Sequence, residues 1–170
     1  ALADKKVRQA LAHAIDKNKI VSAALAGNGR AIDGPILPES SFYDSSAKKY
    51  NYDIASSSRL LNLTGWKVAE LTTEDINKAQ ATLNSNNEIE KKQAQTKINM
   101  GAGKWRIKDN NYLTIDLTTV DNPEYSQTAA ELAKFWQAVN IKVKVNLAPA
   151  NQIQTDVIKA RNFAALIFGE

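Results

Sequence analysis

At 170 residues, with 44% hydrophobic and 24% charged side chains, the chain is long enough to bury a core as one globular domain. It has no cysteine, which excludes disulfides and thiolate metal sites, and no apolar run near the roughly 20 residues of a membrane-spanning helix. The net charge of +4 sits in scattered pairs (Lys5-Lys6, Lys48-Lys49, Lys91-Lys92, Lys142 with Lys144), which reads as solvated surface rather than one nucleic-acid-binding face.

In chain order, Asp4 caps an expected helix running to about Asp16, with Val7, Ala10, Leu11, Ala14 and Ile15 as its apolar stripe. A second helical piece spans Asn18 to Ala26 and ends at Gly27-Asn-Gly29. Residues 30–52 carry turn signals at Asp33-Gly-Pro35, Pro38 and Tyr43-Asp-Ser-Ser46 and read as irregular. Asp53 then caps a short helix with Leu60, Leu61 and Leu63 inward; Gly65 stops it, and Trp66 folds back on it. The composition turns polar over 67–103. There Thr73 to Leu83 and Glu88 to Asn99 read as a helical hairpin, the first with Ile76, Ala79 and Leu83 on a narrow face, the second anchored only by Ile89 and Ile98. Trp105 to Ile107 is expected as a short strand that pairs with the next one through a turn at Asp109-Asn-Asn111.

The following stretch organises the rest. In Tyr112 to Thr119, Leu113, Ile115 and Leu117 alternate with Thr114, Asp116 and Thr118, a half-buried strand. Asn122 offers a helix cap and Pro123 suits the first helical position. Tyr125, Ala129, Leu132, Trp136 and Val139 then form one stripe, and Asn140 fits a left-handed helix end. Ile141 to Leu147 alternates with Lys142, Lys144 and Asn146, the pattern of a strand near an edge. After Pro149 comes a short helix over about Asn151–Ala160. Phe163-Ala-Ala-Leu-Ile-Phe168 has no polar residue, which predicts a strand covered on both faces and paired on both sides. The fold class is therefore α/β: a βαβαβ, mostly parallel sheet with flanking helices and a polar helical insertion at 67–103. Because the most apolar strand falls at the end of the chain, the sheet is expected to be one part of a larger body.

In such sheets ligands bind beyond the carboxyl ends of the strands, which here are Thr119-Val-Asp-Asn122, Leu147-Ala148 and Phe168-Gly-Glu170. Thr119, Asp121, Asn122, Gly169 and Glu170 are the candidate ligand-binding residues. Two loop motifs fail on inspection. Gly27-Asn-Gly29 follows a helix and has Ile32 where a dinucleotide loop needs its third glycine. Gly101-Ala-Gly-Lys104 has Ile98 at the first glycine of a phosphate loop and Trp105 in place of Ser/Thr. The single histidine, His13, lies opposite the apolar stripe and is expected at the surface, so neither a His-based triad nor a transition-metal site is read, and no cofactor is implied. A carboxylate pair drawn from Asp116, Asp121 and Glu170 is the enzymatic reading and ranks third. A basic α/β module stacking Trp105 on nucleic acid between Lys104, Arg106 and Lys108 ranks second.

Several pieces together resemble one family. They are Asp4-x-x-Val7-Arg8-Gln-Ala-Leu11-Ala-x-Ala-Ile15-Asp16-Lys17-x-x-Ile20-Val21, Gly27-x-Gly29-x-Ala31-x-x-Gly34-Pro35-Ile36-x-Pro38, Tyr50-x-Tyr52-Asp53, Leu60-Leu61-x-x-x-Gly65-Trp66, Ile141-Lys-Val-Lys-Val145 and Phe163-Ala-Ala-Leu-Ile-Phe-Gly169. In order and spacing they are similar to the C-terminal lobe of the solute-binding proteins of ABC importers that take oligopeptides, dipeptides or nickel chelates. The resemblance spans nearly the whole chain outside 67–103. It implies a periplasmic-binding-protein type II-like lobe and a second lobe of the same parent chain that closes with it over a peptide or other small solute. A membrane permease as partner, an extracytoplasmic and membrane-anchored setting, and no catalysis or nucleic-acid binding are also implied. It further implies that the segment after the last strand holds peptide backbone in strand-like fashion. The family usually has an aromatic after that glycine, where this sequence has Glu170, and Ser56-Ser-Ser58 stands where Lys and Ala are usual.

Overall fold

In the computed structural model, which describes residues 1–169, each α-helix begins where the sequence supplies a cap. Helix α1 (Lys5–His13) starts with the Asp4 carboxylate accepting from Lys6 N–H at 2.8 Å. It stops short of the expected Asp16, because Asp16 is extended (φ −88, ψ 96) and caps α2 (Lys17–Ala24) through Lys19 N–H at 3.0 Å. A residue cannot continue one helix while holding the cap geometry of the next. Helix α3 (Ile54–Leu63) begins with Asp53 accepting from Ser56 N–H at 2.9 Å. Its inward residues are Ile54, Ser57, Leu60 and Leu61. Leu63, expected inward, is 65% exposed, since two residues beyond Leu61 a helix presents its far side. Gly65 (φ +87) ends the helix, and Trp66 donates its N–H to Leu61 C=O at 3.1 Å while its ring meets the main core.

Strand β1 (Lys67–Leu71) was not foreseen. It opens the stretch read as purely helical and pairs antiparallel with β2 (Gly103–Lys108), from Lys67 opposite Ile107 to Leu71 opposite Gly103. The turn at 109–111 does form, with Asp109 and Asn110 both left-handed. It joins β2 to β3 (Asn111–Tyr112), however, so the main partner of β2 is β1 rather than the following core strand. Between β1 and β2 lies the expected hairpin of α4 (Thr73–Thr82) and α5 (Glu88–Met100). It is started by a Thr72–Asp75 capping box and by Asn87. Ile89, expected as an anchor, is 70% exposed; small or flexible residues, Ala79, Ala94 and Met100, are buried instead.

The second sheet is parallel, in the order β5-β4-β6, with β4 (Thr114–Val120) central, β5 (Lys142–Ala148) at one edge and β6 (Ala165–Leu166) beside β4. Helix α6 (Pro123–Gln137) makes the first crossover and ends at a left-handed Asn140 (φ 65), as the sequence predicts. The second crossover contains a π-helix over Ile153–Lys159 in place of the expected α-helix, and nothing in the sequence explains that register. Leu113, Ile115 and Leu117 face α6 and α1, meeting Val143, Ala129, Trp136, Val139, Val7 and Leu11 in one cluster. The Trp136 Nε1–H also donates to Leu11 C=O at 3.2 Å, tying α6 to α1. On the opposite face, Val120 is covered by Ile153 and Val157 of the π-helix, whereas Thr114 and Asp116 are exposed. The apolar run 163–168 does not form a strand paired on both sides. Among the described residues β6 is two residues long and pairs only with β4, and Phe163 and Phe168 are each 41% exposed.

Candidate functional site

Parallel pairing brings the carboxyl ends of β4, β5 and β6 to one side of the molecule, where α6 begins. The register from Thr114–Lys142 to Val120–Ala148 holds β4 and β5 level, and Asp121 N–H extends the pairing by donating to Ala148 C=O at 2.8 Å. Asn122 accepts from Glu124 N–H at 3.0 Å through its Oδ1, the cap its position predicts, and Pro123 follows at the first helical position. Asp121 and Asn122 are both exposed at this rim. An exposed carboxylate and amide beside the start of a fifteen-residue helix give a rim able to meet both a cationic and an anionic solute group.

The other candidates fall differently. Thr119 is fully buried, and its Oγ1–H donates to Ile167 C=O at 2.9 Å, so its hydroxyl is engaged within the protein. Gly169 is exposed at the same rim, and its carbonyl accepts from the Tyr125 hydroxyl at 3.2 Å. Glu170 lies outside the described residues. In the sequence Tyr125 stands only as one residue of the α6 stripe. Its place in the first helical turn, level with the strand ends, was the signal that it could reach this rim. Beyond the two-residue ladder with β4, residues 167–169 are thus held by the backbone bond from Ile167 N–H to Thr118 C=O at 3.0 Å and by the hydroxyls of Thr119 on β4 and Tyr125 on α6.

The second-ranked nucleic-acid module does not assemble. Arg106 is 2% exposed and spends its donors on Val139 C=O (2.8 Å), Asn62 Oδ1 (2.9 Å) and Trp66 C=O (2.8 Å), so it cannot reach a phosphate. Burial without a carboxylate partner pushes its guanidinium below its ordinary pKa. Trp105 donates its Nε1–H to Gly101 C=O at 2.8 Å, with the Lys142 ammonium 5.1 Å from its ring centroid. Lys108 caps α3 through Thr64 C=O at 2.9 Å. His13 is half-buried rather than fully at the surface; its Nδ1 lies 2.8 Å from Asn51 C=O and its ring meets Tyr50 edge-on. Asp116 and Asp121 sit on different levels of β4, the first on the open sheet face and the second past the strand end. Among the described residues no three His, Cys, Asp or Glu side chains gather as a metal site, and no helix is long and apolar enough to cross a membrane.

The family described as "Bacterial extracellular solute-binding proteins, family 5 Middle" matches residues 1–169. The oligopeptide-binding protein AppA of Bacillus subtilis is 41% identical over 66 residues, which are 38% of this chain and 12% of that protein. Among solved structures, AppA from Bacillus subtilis in complex with a nonapeptide superposes with a TM-score of 0.69 at 22% identity, over 99% of this chain and 28% of that one. NikA from Brucella suis, in complex with Fe(III)-EDTA, gives 0.69 at 22%, over 98% and 27%. NikZ from Campylobacter jejuni, in complex with Ni(L-His), gives 0.67 at 21%, over 98% and 26%. These likenesses establish the α/β fold as that of the type II binding-protein lobes. The chain spans little more than a quarter of the solved structures it matches.

Proposed function

Since the chain belongs to the bacterial extracellular solute-binding proteins of family 5, we propose that it is most of one lobe of a two-lobed protein, here the C-terminal lobe. That protein captures peptides or a related small solute outside the cytoplasm and delivers them to an ABC-importer permease. The lobe grips; it does no chemistry. Its partner lobe, from the same parent chain, closes over the ligand, and the closed state gains population because the ligand contacts both lobes. The helical stretch within 67–103 is an insertion in this lobe, away from the ligand side.

One observation carries the reading. The extended segment 165–169 lies along the carboxyl end of β4 next to the start of α6, and among the described residues its opposite edge has no backbone partner. That geometry suits an extended peptide added strand-fashion, with Asp121, Asn122 and the groups around Gly169 at hand for its polar ends. The relatives whose structures hold a nonapeptide or a nickel–histidine complex set the two ligand classes to try. The complete protein should show a higher unfolding temperature with a pool of two- to nine-residue peptides or with nickel–histidine. Ligand at a hundred times its Kd adds about 2.7 kcal/mol of stability. No shift with either ligand class would overturn the reading.

A further inference from the structure

The segment that would meet the ligand is anchored by packing only as far as Ile167: Ala165 and Ile167 meet the main core and Leu166 the Val120 cluster, while Phe168 and Gly169 are exposed. Its ladder with β4 covers only Ala165 and Leu166, and Phe168 is 41% exposed. A two-residue parallel ladder does not by itself hold a chain in register. Beyond the packing of the Ile167 side chain, residues 167–169 are placed by directed bonds to the end of β4 and the start of α6. Ile167 turns both its N–H, to Thr118 C=O at 3.0 Å, and its carbonyl, to Thr119 Oγ1 at 2.9 Å, toward β4. Two residues on, the Gly169 carbonyl meets the Tyr125 hydroxyl at 3.2 Å. This is the alternation of extended backbone, so Phe168 between them presents its N–H and C=O to the free edge.

Both hydroxyls stand on rigid supports. Thr119 is fully buried in the central strand. Tyr125 follows the Asn122–Pro123 start of α6, and its ring packs against the cluster of Val120, Ile153 and Val157. Residue 169 is also sterically matched to this contact. A Cβ added at Gly169 would lie 2.9 Å from the Tyr125 hydroxyl oxygen but 3.9 Å from its Cζ, so only the hydroxyl forbids a side chain there.

We propose that Tyr125 is a positioning residue for ligand capture: its hydroxyl, with that of Thr119, sets the path of residues 167–169 and so aims the Phe168 backbone at an extended peptide. The inference rests on the solute-capture reading only for the peptide, not for the latch itself. Two readouts on the complete protein separate them: hydrogen exchange without ligand of the Ile167 amide, which is bonded to Thr118 C=O, and affinity for an equimolar pool of two- to nine-residue peptides. Tyr125→Phe keeps the ring packing and removes one hydrogen bond, which speeds exchange at the Ile167 amide about fivefold and weakens peptide affinity to a similar degree, with the unfolding midpoint nearly unchanged. Gly169→Ala in the native background gives the same loosening, because the methyl group drives the hydroxyl away. Adding Gly169→Ala to Tyr125→Phe costs nothing further, since the offending atom is already gone. Multiplicative losses in the double variant, or unchanged exchange in Tyr125→Phe, would overturn the latch. A latch that behaves as described in a protein that binds no peptide would leave it standing and remove the capture reading instead.

Discussion

The parallel sheet and the antiparallel sheet of this molecule are held by different physics. Around β4, Leu113, Ile115 and Leu117 are each 1% exposed and packed by α6, α1 and α3, so burial, which has no direction, does the holding. Around β2 the strands carry charged and exposed side chains, and the joints to the core are directed contacts. Arg106 reaches three acceptors on different elements, Leu113 N–H donates to Arg106 C=O at 2.8 Å, and the Lys142 ammonium donates to Met100 C=O at 3.1 Å beneath Trp105. The difference shows which part could afford to carry a ligand. The rim residues Asp121, Asn122 and Tyr125 are rooted in the densely packed sheet, whereas the hairpin of α4 and α5 hangs from a few polar ties.

The largest effect should come from breaking the principal tie. Arg106→Met takes the charged donor from the buried Val139 carbonyl and from the part-buried Asn62 and Trp66 acceptors, and is expected to cost about 3–5 kcal/mol in urea unfolding. Arg106→Lys restores only part of this, because an ammonium cannot reproduce the fork. Leu117→Ala tests the burial side of the comparison and should cost about 3 kcal/mol, while Ile89→Ala on the hairpin, at 70% exposure, should change stability by less than about 0.5 kcal/mol. Equal costs for the two would erase the distinction drawn between the sheets. Ser57→Ala sharpens it from the other direction. The Ser57 hydroxyl is buried in α3 with no partner among the described residues, so its removal should leave stability unchanged or raise it by up to about 1 kcal/mol. Smallest of all is an effect in the 30–52 loop, outside both sheets. The Arg30 guanidinium, bonded to the Glu39 carboxylate, holds that group well below its ordinary value of 4.5, at about 2. A depressed carboxylate contributes order that is fully present above pH 4.5 and lost as pH falls through about 2, so resonances of 30–39 should shift in that window while those of β4 stay put.

The sequence announced the parallel sheet because its signals are local: alternation in 113–117, the Asn122–Pro123 start, the left-handed Asn140. Strand β1 gave no such signal. Lys67-Val-Ala-Glu-Leu71 has no clean alternation and is a strand because β2, more than thirty residues away, supplies its partners. The run 163–168 misled for a related reason: an apolar stretch reports a demand for cover without saying which residues provide it. Hydrophobicity alone points Ile89 and Leu63 inward, but the helix faces bury Ala94 rather than Ile89, and of the expected leucines Leu61 is buried while Leu63 faces out. At the rim, position in the topology located Asp121 and Asn122, and alternation puts Thr119 on the inward face of Leu113, Ile115 and Leu117; the reach of Tyr125 to Gly169 depends on how β6 lies beside β4, which no spacing encodes.

Which side of the molecule meets solute is tested most directly by an amide-resonance map of the complete protein with and without the peptide pool. Shifts and slowed exchange concentrated at 119–125 and 165–169, with 73–100 unmoved, are the predicted result. A footprint on the α4–α5 hairpin with the ends of β4 and β6 silent would contradict it.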